Sequence, residues 1–331
     1  MRSFTSSLLN FLSSYLQSST HYSLLTTQPL NSIMSSIFKQ ITVIGAGTMG
    51  NGIAHVFAMN GFRVKLVDVN PEALSKALVN IEKNLGRMVQ KGTISGQVQA
   101  DTLSRLQTTT DLRDAAHQSD LIVEAATENE SLKLKIFAQI DEVAPTHAIL
   151  ATNTSSISIT KIAAATIRPE QVIGMHFMNP VPIMQLVEVI RGYATSDKVC
   201  GKIMELSRQL GKTPVEVQDF PGFVANRILM PMINEAIYSL YEGVAGVAEI
   251  DTVMRLGMAH PMGPLQLADF IGLDVCLAIL RVLHEGFGQP KYAPCPLLVN
   301  MVTAGKLGVK TGEGFYTYGP DRKMTGVRYM R

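Results

Sequence analysis

The chain has 331 residues, 46% hydrophobic and 17% charged, which excludes a disordered chain and suits about two domains. Lys+Arg 29 against Asp+Glu 27 leaves a formal charge of +2, without the concentrated basic excess of a general nucleic-acid binder. The 3 cysteines (Cys200, Cys276, Cys295) lack metal-ligand spacing and point to a reducing compartment, and no apolar run reaches the roughly 18 residues of a membrane span.

The chain opens with a Ser- and Thr-rich segment to about Phe38 that contains no Asp or Glu; the first acid of the sequence is Asp68. Arg2 and Lys39 are the cations near its ends. The segment reads as a leader outside the fold, with Met34 as an alternative start. An acid-free, Ser-rich leader also suits an organelle transit peptide, although the shortage of arginine argues against it. A secretory signal fits least, because Asn10 and paired serines interrupt any apolar stretch. The expectation is a leader over residues 1–37 and a cytoplasmic protein, with the mitochondrial matrix as the alternative if residues 1–33 are a transit peptide.

Ile41–Ile44 is a short β-branched run that ends at a glycine cluster. Thr48–Asn60 is helical in character and Gly61 stops it. Arg63–Asp68 is the next strand, and Asn70–Pro71 opens a long helix through Lys91. Asp120–Glu124, Ala148–Thr152 and Gln171–His176 are further apolar runs. Short apolar runs separated by helix-length segments indicate a parallel sheet covered on both faces. Met184–Ile190 reads as one more strand, and from Pro221 onward almost everything looks helical. Val224–Tyr241 is apolar round most of its circumference, so it belongs in a core or a subunit interface. The fold class expected is α/β: a doubly wound Rossmann-type N-terminal domain over 38–219, then an all-α C-terminal domain over 220–331.

Gly45-Ala-Gly47-Thr48-Met49-Gly50 fits G-x-G-x-x-G between a strand and a helix. The first glycine permits the tight turn, the second a close approach of backbone to a pyrophosphate, and the third close helix–strand packing. Asp68 ends the second strand at the spacing expected of a carboxylate on a ribose 2′-OH. No arginine follows it to receive a 2′-phosphate, so NAD is favoured over NADP.

Oxidising a secondary alcohol needs a hydride acceptor, a base and donors to the oxygen. His176 ends an apolar run, and Glu188 sits inside an otherwise apolar strand. Buried acids are costly unless paired. If the two strands are neighbours, Glu188 can hold one imidazole nitrogen and leave the other for substrate. The same residues would also suit an exposed glutamate and a core histidine bonded to backbone. Asn153-Thr-Ser155-Ser follows a strand at the carboxyl edge, where Ser155 could bond a substrate oxygen or the cluster could simply cap a helix. Asn226, early in an apolar helix, is open between an internal bond and a substrate contact. Lys76, Lys83, Arg87 and Lys91 share one helical face, either a phosphate-binding stripe or a solvated surface.

Seven segments stand in order: Gly45–Gly50, Ala151–Ile157, His176–Pro182, Leu186–Ile190, Pro221–Arg227, Pro261–Pro264 and Lys310–Tyr316. Together they resemble the L-3-hydroxyacyl-CoA dehydrogenases, and among them the short 3-hydroxybutyryl-CoA dehydrogenases. The likeness runs from about Phe38 to Tyr318. It implies NAD-dependent, reversible oxidation of (S)-3-hydroxyacyl-CoA to 3-oxoacyl-CoA in fatty acid or butanoate metabolism. It also implies His176 as general base, Glu188 as its partner, and Ser155 and Asn226 on the reactive oxygen. Asn179 would touch the nicotinamide end, with Glu128, Lys133 and Lys310 near the cofactor. Asn84 and Lys91 would contact coenzyme A. The resemblance also implies a homodimer through the C-terminal domain, and no metal. Lys91-Gly-Thr runs straight into Ser95-Gly96, without an insertion carried by some mitochondrial relatives, which favours the bacterial type and weakens the transit-peptide reading. Two rivals remain open: a dehydrogenase of a free hydroxy acid or sugar acid of the gulonate type, and a recruited NAD-binding structural protein with little turnover.

Overall fold

Strand β1 (Gln40–Ile44) is buried on both faces from Ile41 to Ile44, as a central strand of a covered sheet must be. The computed structural model describes residues 38–328, so the expected leader over 1–37 lies outside the described residues. Helix α1 (Thr48–Met59) follows β1, then β2 (Arg63–Val67) and helix α2 (Pro71–Gln90). Asn70 caps α2 by accepting from the Glu72 amide, and Pro71 takes the first helical position. Helix α3 (Gly96–Ser104) leads to β3 (Leu106–Thr109), and helix α4 (Leu112–Ala116) to β4 (Leu121–Glu124). Helix α5 (Glu130–Val143), β5 (Ile149–Thr152), helix α6 (Ile159–Ala163) and β6 (Val172–Phe177) come next. The sheet closes with β7 (Leu186–Arg191), helix α7 (Asp197–Gln209) and β8 (Thr213–Gln218).

These strands form one eight-stranded sheet in the order β3-β2-β1-β4-β5-β6-β7-β8. All neighbours pair in parallel except β6 and β7, which are antiparallel. Two cores cover it: α1, α2 and α7 bury Phe57, Ile81 and Ile203 on one face, and α5 and α6 bury Phe137 and Ile162 on the other.

Strands β3 and β8 are absent from the sequence reading, and they are the two edges of the sheet. An edge strand has one covered flank, so it tolerates polar side chains and proline. Leu106-Gln-Thr-Thr and Thr213-Pro-Val-Glu-Val-Gln therefore lack the apolar run by which the central strands announce themselves.

Beyond the sheet lie α8 (Ala225–Tyr241), α9 (Val247–Gly257), α10 (Pro264–Ile271), α11 (Leu273–Phe287) and α12 (Pro296–Thr303) around a core of their own. The layer is helical as expected, with one short antiparallel hairpin, β9 (Tyr316–Tyr318) with β10 (Met324–Val327), closing it. The buried Asp269 carboxylate holds it, accepting from the amides of Phe315 and Tyr316 and from the Tyr318 hydroxyl. Helix α8 buries Met230, Ile233 and Ile237, but Ile228 is 67% exposed and Tyr241 55%. Within this single chain its apolar circumference is thus only half covered.

Candidate active site

The glycine loop lies at the carboxyl end of β1, where ligands bind in doubly wound sheets. Gly45 takes φ +100, and a Cβ there would meet the Ala125 carbonyl oxygen at 2.6 Å. A Cβ on Gly50 would lie 1.8 Å from the Gly45 oxygen, so strand and helix could not close together. Gly47 differs: a Cβ would meet nothing within 4 Å. It caps α1 without any side-chain cap, leaving the positive helix end bare beneath open space. That is a cradle shaped for a phosphate. Asp68, just past β2, accepts from the Ala46 amide at 2.7 Å and so shares the loop. Thr48 is exposed beside it and Met49 half-buried.

His176 and Glu188 stand opposite each other in the β6–β7 register. Nδ1 of His176 lies 2.8 Å from Oε2 of Glu188, and both residues are buried. The other carboxylate oxygen accepts from the amides of Val224 (3.1 Å) and Ala225 (3.0 Å) at the start of α8. Phe223 precedes them at φ +51, an unfavourable conformation for a bulky side chain, and its ring packs against His176. Burial pushes the Glu188 carboxyl up, but the His176 hydrogen bond, the amides and the imidazole's charge outweigh it and hold the group below its ordinary range. An ionised Glu188 only accepts, so Nδ1 carries a proton and Nε2 is the nitrogen left to exchange one with substrate. Ser155 Oγ lies 3.1 Å from that Nε2. Asn226 of α8 donates to the Ser155 carbonyl at 3.2 Å, tying the helical layer to the serine loop.

The serine loop is held from below. Glu128 Oε1 accepts from Thr154 Oγ1 (2.6 Å), the amides of Ser155 (2.9 Å) and Ser156 (3.1 Å), and Ser156 Oγ (2.9 Å). Lys133 is 1% exposed and bridges Glu124 at 2.7 Å and Glu128 at 3.5 Å. Glu124 in turn accepts from Thr152 Oγ1 and the Ala126 amide. Three polar residues of this framework were not singled out from sequence. Glu124 ends a buried strand, Asn153 accepts from the Phe177 amide, and Asp219 accepts from Ser158 and from the amides of Ile159 and Thr160. For Glu124 and Asn153 the available signal was a polar side chain at or just past the end of an apolar run; Asp219, which follows the mixed edge strand β8, offered none.

A cavity of about 570 Å³ lies between the glycine loop, the connection after β6 and helix α2; His176, Glu188 and Ser155 do not line it. Gly47 and Thr48 line one side, Asn179 and Pro180 another, and Lys76, Lys83, Asn84 and Arg87 a third. The expected basic face of α2 therefore opens onto this cavity beside the glycine loop, apart from Lys91, which is the exposed residue after the helix and does not line the cavity. Lys310 forms an ion pair with Asp274 at the start of α11.

Comparison with known proteins gives a consistent match. Residues 40–220 match the model of the 3-hydroxyacyl-CoA dehydrogenase NAD binding domain, and 222–318 that of the 3-hydroxyacyl-CoA dehydrogenase C-terminal domain. A 3-hydroxybutyryl-CoA dehydrogenase of Bradyrhizobium diazoefficiens is 54% identical over 285 residues, covering 86% of this chain and 97% of the relative. The mitochondrial hydroxyacyl-coenzyme A dehydrogenase of Rattus norvegicus is 46% identical, covering 85% and 92%. The crystal structure of (S)-3-hydroxybutyryl-CoA dehydrogenase from Ralstonia eutropha superposes with TM-score 0.83 at 49% identity, over 85% of this chain and 99% of that one.

Proposed function

The chain belongs to the NAD-dependent 3-hydroxyacyl-CoA dehydrogenase family, and on that premise we propose that it interconverts (S)-3-hydroxybutyryl-CoA and acetoacetyl-CoA in fatty acid or butanoate metabolism. The observation that carries this reading is the His176–Glu188 contact, with Ser155 on the free imidazole nitrogen.

When bound, NAD supplies the hydride acceptor for C3 of the substrate. Gly45, Gly47, Thr48, Met49 and Gly50 would hold its pyrophosphate, Asp68 its ribose and Asn179 the nicotinamide end. His176 Nε2 takes the hydroxyl proton, and Glu188 stabilises the imidazolium through Nδ1. In the reverse direction Nε2 returns that proton to the oxygen. Ser155 Oγ donates to Nε2 in the free enzyme and turns its one O–H to the substrate oxygen as Nε2 takes the hydroxyl proton, and Asn226 completes that contact. Glu128 lies beneath the serine loop, and Lys133 acts on the cofactor side through Glu128. Lys310 is assigned to the cofactor by resemblance alone. The phosphates of coenzyme A would lie on Lys76, Lys83, Asn84 and Arg87, with Lys91 at the rim.

Residues 38–219 form the NAD-binding unit in this reading, and 220–331 the substrate and dimerisation unit. Exposed Ile228 and Tyr241 on α8 support a homodimer through the second unit. A sedimentation measurement giving a dimer is expected. Among the described residues no helix is long and apolar enough to cross a membrane. A cytoplasmic location is part of the proposal and rests on the three unpaired cysteines.

The deciding experiment is a chain-length series of 3-oxoacyl-CoA substrates with NADH and NADPH in parallel. Highest kcat/KM for the four-carbon ester with NADH is expected. Equal turnover of free 3-hydroxybutyrate would instead favour a free-acid dehydrogenase.

A further inference from the structure

We propose that Lys212 is a positioning residue: from behind the cofactor cleft it holds the wall that carries Asn179. Lys212 lies between α7 and β8, only 8% exposed, and it does not line the cavity. Its ammonium donates to the carbonyls of Val181 at 2.6 Å and Met184 at 2.8 Å. Among the described residues no carboxylate lies within ion-pair distance of it. A buried ammonium is costly unless paired or fully hydrogen-bonded. These two carbonyls are therefore its compensation, and the bonds bind the loop as much as they satisfy the lysine.

Both carbonyls belong to residues 178–185, the connection from β6 to β7. That connection starts two residues after His176 and ends three before Glu188. It supplies Asn179, Pro180, Val181 and Pro182 to the cavity, across from Gly47 and Thr48. Helix α1 packs closely against it, since a Cβ on Gly52 would lie 2.8 Å from Cβ of Val181. Val181 thus touches the glycine-loop helix and is bonded by Lys212. His55, fully buried in α1, has its imidazole held down to about 4 by burial and by the charge of Lys212, so it is neutral and adds no opposing charge. The clamp sets the distance between the Asn179 wall and the glycine loop, which is the width available to a dinucleotide.

The inference rests on the reading of Asn179 as a nicotinamide contact, and NADH binding measured without acyl-CoA separates the two. Lys212→Met removes both bonds at little change in volume. We expect the Kd for NADH to rise about 10- to 100-fold, as when hydrogen bonds to a charged group are lost. Amide exchange over 178–185 should accelerate, while kcat at saturating NADH and KM for acetoacetyl-CoA stay within about threefold. A Kd within about twofold of wild type, or unchanged exchange in that segment, would overturn the proposal. A loss of thermal stability with unchanged NADH affinity would overturn it too, by making Lys212 merely structural. Should Lys212→Met fail to fold, Lys212→Gln, whose shorter amide reaches one carbonyl at most, is judged by the same criteria. Wild-type protein that does not bind NADH would sink the cofactor reading itself.

Discussion

His176 and Glu188 are cross-strand partners in the one antiparallel pair of the eight-stranded sheet, with Nδ1 and Oε2 2.8 Å apart. Direct opposition on adjacent strands fixes the pair by backbone register, without relying on long flexible side chains. Glu188 accepts at both oxygens, from the imidazole and from the start of α8. Glu188→Gln must turn a donor toward one of these partners. We expect kcat to fall by about 100-fold or more, with a smaller change in KM. Steady-state kinetics showing a change in KM alone would reassign Glu188 to ground-state binding.

Glu128 should matter for rate as well as for cofactor affinity, because one of its oxygens holds Thr154, Ser155 and Ser156 together. Glu128→Ala frees the loop that aims Ser155 Oγ at Nε2. A fall in kcat of about 10- to 100-fold is expected at saturating NADH, the scale on which small misplacements cost. A change confined to KM for NADH would limit Glu128 to contact with the cofactor.

The glycine loop separates stability from binding. Gly50→Ala drives a Cβ to 1.8 Å from the Gly45 oxygen, so a loss of about 2 kcal/mol or more is expected in denaturant unfolding. Gly47→Ala has free space and an unstrained φ of −65, so stability should stay within about 0.5 kcal/mol. Its methyl group would occupy the cradle, raising the NADH Kd roughly tenfold, or about 1.4 kcal/mol. Unchanged NADH affinity in Gly47→Ala would remove the pyrophosphate from this position.

Asp269 gives stability a pH dependence of defined sign. Burial pushes its carboxyl up to about 6, against the hydrogen bonds of Tyr316, Phe315 and Tyr318 and with a further push from Asp251. Between pH ~4 and ~6 the folded chain therefore binds more protons at this site than the unfolded chain. The contribution of Asp269 to stability falls as pH rises through that window and is level above it. Measured against Asp269→Asn, wild type should lose on the order of 2–3 kcal/mol between those limits. A difference that grows with pH would mean the carboxyl is ionised at lower pH than this account requires.

The central strands were legible because burial on two faces demands apolar runs, against which His176 and Glu188 stood out as lone polar residues; their pairing was implied by the family resemblance, since the residues alone also suited an exposed glutamate and a core histidine. Edge strands β3 and β8 face one core only, so their mixed composition hid them. The hairpin Tyr316–Val327 depends on Asp269, distant in sequence, for its amide partners, and no local pattern reports that. Lys212 and Asp219 were silent for the same reason: each acts through backbone groups brought near by the fold. The reach of Arg87 and the retreat of Lys91 from one α2 face turn on where the helix ends, at Gln90.

The most direct test is turnover of His176→Ala, assayed as NADH oxidation with acetoacetyl-CoA alongside a separate NADH binding titration. A loss of about 100- to 10,000-fold in kcat is expected, with NADH still bound. Turnover close to wild type would leave the reaction without its proton carrier and contradict the assignment.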